Sequence, residues 1–224
     1  METDYLAIRQ QRNKTKKKKV IIGACVAAVI TIIIVIAMQF RTTPDDFVEL
    51  GGMTWRVLAR RGNNIMIATE HVIGRGAFDE HADTVWRDSS LRAYLNSEFL
   101  NYFTPEEHRR IQMTTVSTNT RFLDTGEDSI VTEDYVFLFS PSELGQFFDH
   151  VFVFPASPEN NIPNPYNVIS TDTDGNPVQW WTRTRGIFPY SIIVVSEMIA
   201  TNNQGMRADD ETIGIRPVMW ISMN

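Results

Sequence analysis

Met53-Thr54-Trp55-Arg56-Val57-Leu58-Ala59, then Arg61-Gly62-Asn63-Asn64, then Ile65-Met66-Ile67-Ala68 is the stretch on which the expected fold turns. Trp55, Val57 and Ala59 alternate with Arg56 and Leu58, the period-two pattern of a half-buried strand. The glycine and paired asparagines supply the backbone freedom of a tight turn, so the stretch predicts a hairpin.

Working toward the C-terminus, Leu91, Leu95, Phe99, Tyr102 and Phe103 recur at i, i+4, i+8, i+11 and i+12, one face of a single helix that Asp88 or Ser89 can cap. Thr104-Pro105-Glu106-Glu107 carries a capping box with proline at the first helical position. Ser140-Pro141-Ser142-Glu143 repeats that chemistry, opening a helix through Phe148 after an apolar strand at Tyr135–Phe139. Phe154–Pro177 holds five of the ten prolines, with asparagines at 160, 161, 164 and 167, and reads as a long loop. Ile192–Val195 and Gly214–Ile221 read as strands. Short strands mixed with two or three helices predict an α+β domain, not alternating βαβ units.

Working toward the N-terminus, Arg41–Asp46 is a polar linker, and Val20–Met38 is a 19-residue stretch without charge. A bilayer core of about 30 Å needs roughly 20 helical residues, so residues 20–40 are expected to form a transmembrane helix. Residues 1–19 carry seven basic side chains against Glu2 and Asp4. That excess predicts a cytoplasmic tail and a single-pass signal-anchor protein of the cell membrane, with residues 47–224 extracytoplasmic. A cleaved signal peptide would have a shorter apolar region and a small-x-small site, whereas Met38-Gln39-Phe40-Arg41 follows here. Residues 41–224 hold 14 basic and 25 acidic side chains, so they carry −11, a poor match to nucleic-acid phosphate. Every basic residue after Lys19 is arginine.

Little here announces catalysis. The single cysteine, Cys25, lies in the apolar run, there is no Gly-x-Ser-x-Gly elbow, and His71, His81, His108 and His150 lack ligand spacing. No catalytic residue, metal or cofactor is expected. Asp172-Thr173-Asp174-Gly175-Asn176 is oxygen-rich but reads as an Asx-rich turn, since the further acidic ligands of a calcium loop are missing. Trp180, Trp181, Arg183, Arg185 and Tyr190 combine stacking faces with guanidinium forks. Neighbouring strand residues point to opposite faces, so one tryptophan is expected in the core and the other under a cover or a ligand. Arg183 and Arg185, two apart, would share a face, either as an anion-binding edge beside the long loop or paired with carboxylates such as Asp172 or Asp174.

Four blocks carry a family resemblance. They are Trp86-Arg87-Asp88-Ser89-Ser90-Leu91-Arg92-Ala93-Tyr94-Leu95-Asn96, Asp134–Ser140 with Glu143, Trp180-Trp181-Thr182-Arg183, and Gly214-Ile215-Arg216-Pro217-Val218-Met219-Trp220-Ile221. In this order they resemble the bacterial domain-of-unknown-function family 6273 over about residues 50–222. The resemblance implies a structural motif in Trp86, Leu91, Arg92, Leu95, Asn96, Arg216 and Pro217. It also implies a distant similarity to C-type-lectin-like and formylglycine-generating-enzyme-like domains, without the calcium-lectin tripeptides. The expectation is therefore a C-type-lectin-like exported domain behind a membrane anchor, serving as a binding or interaction module of the cell envelope. Its partners would be the lipid bilayer and a cell-wall glycan or envelope protein. A surface enzyme and a structural subunit of an envelope complex are the alternatives.

Overall fold

A computed structural model describes residues 46–119, 129–147, 170–172, 174–196 and 201–224. The chain divides into two units, Met1–Arg41 and Thr42–Asn224, and the second is described here. The hairpin forms where its pattern places it. β1 (Phe47–Leu50), β2 (Met53–Arg61) and β3 (Asn64–Thr69) run antiparallel, and Gly62 takes φ +58° in the turn. Consecutive Gly51 and Gly52, at φ +57° and +71°, make the two-residue β1–β2 turn.

The remaining strands are β4 (Gly74–Arg75), β5 (Ile111–Gln112), β6 (Thr114–Asn119), β7 (Ser129–Asp134), β8 (Ser170–Thr171), β9 (Pro177–Val178), β10 (Trp180–Arg185), β11 (Ser191–Val195), β12 (Thr201–Arg207), β13 (Gly214–Ile215) and β14 (Val218–Ser222). One five-stranded sheet has the order β1-β2-β3-β14-β5, a second has β12-β11-β10-β13-β4, and β6-β7 and β8-β9 are separate pairs. Only three short α-helices occur among the described residues: α1 (Ser90–Leu95), α2 (Pro105–Arg110) and α3 (Pro141–Phe147).

The expected α+β, C-type-lectin-like architecture of the domain is thereby corrected, whereas the transmembrane helix expected over residues 20–40 falls outside the described residues. The described domain is mostly strand, with helices of six or seven residues. Among the described residues no helix is long and apolar enough to cross a membrane. Residues 20–40, and most of the loop at 154–177, lie outside the described residues.

The single helix expected over Leu91–Phe103 is also corrected. α1 stops at Leu95, and a 3₁₀ turn covers Glu98–Tyr102. Asn96 causes the break, because its side chain serves another segment. Its Oδ1 accepts the Tyr135 and Val136 N–H groups at 2.7 and 3.2 Å, and its Nδ2 donates to the Val136 carbonyl at 2.8 Å. Leu91, Leu95, Phe99 and Phe103 still reach the core, while Tyr102 is exposed. Both capping boxes form. Thr104 exchanges hydrogen bonds with Glu107, and Ser140 with Glu143.

Gly214–Ile221, expected as one strand, is two strands in different sheets, separated at Arg216-Pro217. Val136–Ser140 joins the sheets as well. Phe137 exchanges backbone hydrogen bonds with Val218 of β14, and the Phe139 carbonyl accepts the Arg183 N–H of β10. Residues of both sheets, Trp55, Ile67 and Met219 from the first and Trp180, Trp181 and Val194 from the second, belong to one hydrophobic core.

Candidate functional site

The first group of sequence-predicted residues packs inward. Trp180 and Trp181 are both fully buried, which corrects the expectation that one would leave the core. β10 is covered on both faces, so alternation sorts its side chains between two interiors rather than between core and water. Trp180 lies against Phe139 and under the Arg216 guanidinium, 5.2 Å from its ring centre. Trp181 packs edge-on to Phe78 and donates to the Gly76 carbonyl at 2.8 Å.

Arg183 is buried, and all five of its N–H groups are used. Two meet the Glu143 carboxylate, and the others go to Thr118 Oγ1, the Ser117 carbonyl and the Leu138 carbonyl. Arg185 pairs with Asp83, and the register of β10 on β11 shifts between Trp181 and Arg185. The carboxylates facing these two arginines are thus Glu143 and Asp83, whereas Asp172 meets Arg75 and accepts the Asp174 and Asn176 N–H groups in an Asx turn. Tyr190 stands apart from them, exposed and stacked on Phe188.

The motif residues form two further networks. The fully buried Asp134 carboxylate accepts from Trp86 Nε1 at 2.9 Å, Thr132 Oγ1 at 2.7 Å and Arg92 Nε at 2.6 Å. In that pair the carboxylate, and not the arginine, is the buried partner, since Arg92 keeps a quarter of its side chain in water. Arg216, between β13 and β14 in the chain, is buried and donates to the Thr69 carbonyl at 2.9 Å, while the Pro217 carbonyl accepts the Thr69 N–H. Burial pushes Arg216 down to about 10, still cationic at neutral pH.

What the structure leaves open is a cleft of about 540 Å³ that the sequence did not single out as a site. One wall is the β1–β2 turn with Met53 and Thr54, Thr69 at the end of β3, and His71 to Ile73 beyond it. Aromatic rings complete the lining, Tyr94 from α1 with Phe99 and Tyr102 from the 3₁₀ turn. Phe99 anchors them, with ring centres 6.2 Å from Tyr94, 5.8 Å from Tyr102 and 5.6 Å from Phe103.

The turn is pinned to the same element cluster. The Gly51 N–H donates to Glu107 Oε1 at 3.1 Å, and a Cβ at Gly51 would meet the Phe103 ring at 2.9 Å. The Thr104 and Gly51 N–H groups hold the Glu107 carboxyl below the usual carboxylate range. Burial pushes the Tyr94 phenol up, and its neighbours Tyr102 and Glu98 add to this, so it stays a neutral donor. His71 Nδ1 lies 2.7 Å from Thr171 Oγ1. Thr69 Oγ1 is buried and has no hydrogen-bond partner among the described residues. The lining side chains are hydroxyls, an imidazole, a thioether, rings and aliphatic groups, so the cleft suits a mostly neutral, hydrogen-bonding, ring-shaped molecule. Its signal in the sequence was Phe99 and Tyr102, which read as part of the helical core face with Leu91, Leu95 and Phe103, while Tyr94 was not singled out.

A family model described as Domain of unknown function (DUF6273) matches residues 62–223, and the chain belongs to that family. Neither a curated protein nor a solved structure matches it.

Proposed function

We propose that the protein is a binding module of the bacterial cell envelope, extracytoplasmic and held at the membrane through residues 20–40, with its ligand in the cleft lined by the Gly51-Gly52 turn and the Tyr94, Phe99 and Tyr102 rings. The observation that carries this reading is that aromatic rings, hydroxyls and an imidazole line one space of about 540 Å³. Small-molecule sites run to about 300–1,000 Å³. The ligand class is a neutral sugar ring of a cell-wall glycan, stacked on Tyr102 or Tyr94 and hydrogen-bonded by Thr54, His71 and the tyrosine hydroxyls. Placement outside the cytoplasm is supported by the seven basic side chains that precede Val20, with only Arg41 basic among the first residues after Met38.

Titrating the full chain with an N-acetylglucosamine oligosaccharide tests the binding reading. Saturable binding that Tyr102→Ala weakens at least about tenfold is the expected result, the loss of one stacking partner. No binding, or binding that Tyr102→Ala leaves unchanged, would overturn the sugar assignment. A reporter fused after Asn224 tests placement separately, and activity inside the cytoplasm would reverse it.

A further inference from the structure

The turn from β10 to β11 carries Ile187-Phe188-Pro189-Tyr190, four consecutive exposed residues without a charge, on a base of buried β-structure. Exposure is 50 % at Ile187, 42 % at Phe188 and 43 % at Tyr190. The Phe188 and Tyr190 rings are stacked with centres 5.3 Å apart and planes 1° from parallel. We propose that this tip enters the interfacial layer of a lipid bilayer and orients the domain on the membrane that tethers it. The inference rests on the membrane placement proposed above.

Three observations favour lipid. The first is that part of the tip's backbone is bonded within the protein, four of its seven peptide N–H and C=O groups. Ile187 donates to the Asn203 carbonyl and Phe188 to Ser191 Oγ, and Pro189 has no N–H. The Phe188 carbonyl accepts from both the N–H and the hydroxyl of Ser191, and the Tyr190 carbonyl accepts the Ala208 N–H. The Tyr190 N–H and the Ile187 and Pro189 carbonyls have no partner among the described residues, which suits the hydrated interfacial layer and not the hydrocarbon core.

The second is rigidity without insertion cost elsewhere. A Cβ at Gly186 would meet Ser191 Oγ at 2.4 Å and the Gln204 carbonyl at 2.6 Å, so the tip's base is closely packed. Arg207 lies 5.9 Å from the Tyr190 ring centre in a two-bond pair with Asp209, so a polar ion pair flanks the aromatics.

The third is size against tether. Four residues fall far short of the about 800 Å² per partner of a stable protein interface. A bilayer contact has no such threshold when the domain is already confined, because only the eight residues 39–46 separate Met38 from β1. They reach at most about 30 Å fully extended, and confinement turns a weak insertion into a populated one.

The test places an environment-sensitive nitrobenzoxadiazole label on the full chain, as Phe188→Cys or, for comparison, Glu106→Cys, each with Cys25→Ser. The chain is reconstituted with vesicles of phosphatidylcholine and phosphatidylglycerol, with or without bromines near the start of the acyl chains. The expected result is that the chain floats with the vesicles and that bromine quenches the label at 188 several-fold more than at 106. If the chain floats and the label at 188 emits as in water, or if a dimer contact shields it, the tip does not enter lipid and the membrane placement stands. A chain that fails to float removes both readings. Should Phe188→Cys disturb the fold, as judged by near-ultraviolet circular dichroism, a label at Tyr190→Cys gives the same readout.

Discussion

Arg183 and Glu143 face each other as a two-pronged ion pair in which the cation is the buried partner: its side chain is 1 % exposed, against 24 % for the carboxylate. Removing one member of a buried pair strands the other, and here the stranded group cannot reach water. Glu143→Ala should therefore destabilise the protein by about 3–5 kcal/mol. A urea midpoint within error of the parent would show that the pair does not hold α3 against β10.

The Arg92–Asp134 pair has the opposite polarity of burial. Arg92→Met leaves a fully buried carboxylate with only the Trp86 and Thr132 donors, and a loss of roughly 3 kcal/mol is expected. Arg87→Met removes a guanidinium that pairs with the exposed Asp88 at the surface and should leave the melting temperature unchanged. Thermal unfolding of the two variants side by side checks both statements, and equal effects would contradict them.

Acid should act through Glu70. Burial pushes its carboxyl up, but the two-bond fork from Arg56, with Arg216 and His71 nearby, overcomes that push and holds it below its ordinary 4.5. A carboxyl depressed on folding adds stability that is present above its unfolded value and is lost as pH falls through its folded value. Stability is thus expected to decline below pH 4.5, and Glu70→Gln should be weaker at neutral pH with a shallower acid decline. Urea titrations at about pH 7 and about pH 3 measure the slope, and parallel profiles for the two proteins would sink the assignment.

Gly205 takes φ +76° in β12, and a Cβ there would meet the Ile192 carbonyl oxygen at 2.6 Å, opposite the register irregularity of β11. Gly205→Ala is expected to cost more than about 1 kcal/mol, against the usual small gain of alanine over glycine in a strand. Chemical denaturation of that single variant decides it, and a stabilised protein would mean the bulge is free to relax.

Local chemistry was the legible part of this molecule. The hairpin through Gly62, the Thr104 and Ser140 caps and the Asx turn at Asp172 each lie within a few residues, and each is where propensity places it. The failures are all long-range. Nothing near Asn96 says that its amide is taken by Val136, 40 residues away, so the helical face through Phe103 looked continuous. Glu143 and Asp134 are 40 and 42 positions from Arg183 and Arg92, and pairing over such distances has no periodic trace. The tryptophans misled for a related reason. Alternation sorts side chains between faces, and whether the second face meets water depends on chain that arrives from elsewhere. The cleft stayed hidden because an aromatic wall and an aromatic core have the same spacing.

β13 and β14 lie inside their respective sheets, β13 between β10 and β4 and β14 between β3 and β5, although all of their partners precede them in the chain. During synthesis, residues 214–222 therefore emerge after both sheets have been waiting with a gap at the middle. Until they arrive, β3 and β10 present open hydrogen-bonding edges to any other chain nearby, the situation that invites mispairing. The nine residues act as a double keystone, seated last and closing two arches at once. Folding of this domain is consequently tied to the arrival of Gly214–Ser222, and a chain stopped just short of Gly214 would be a preferred client for chaperones and proteases rather than a slightly weakened version of the whole.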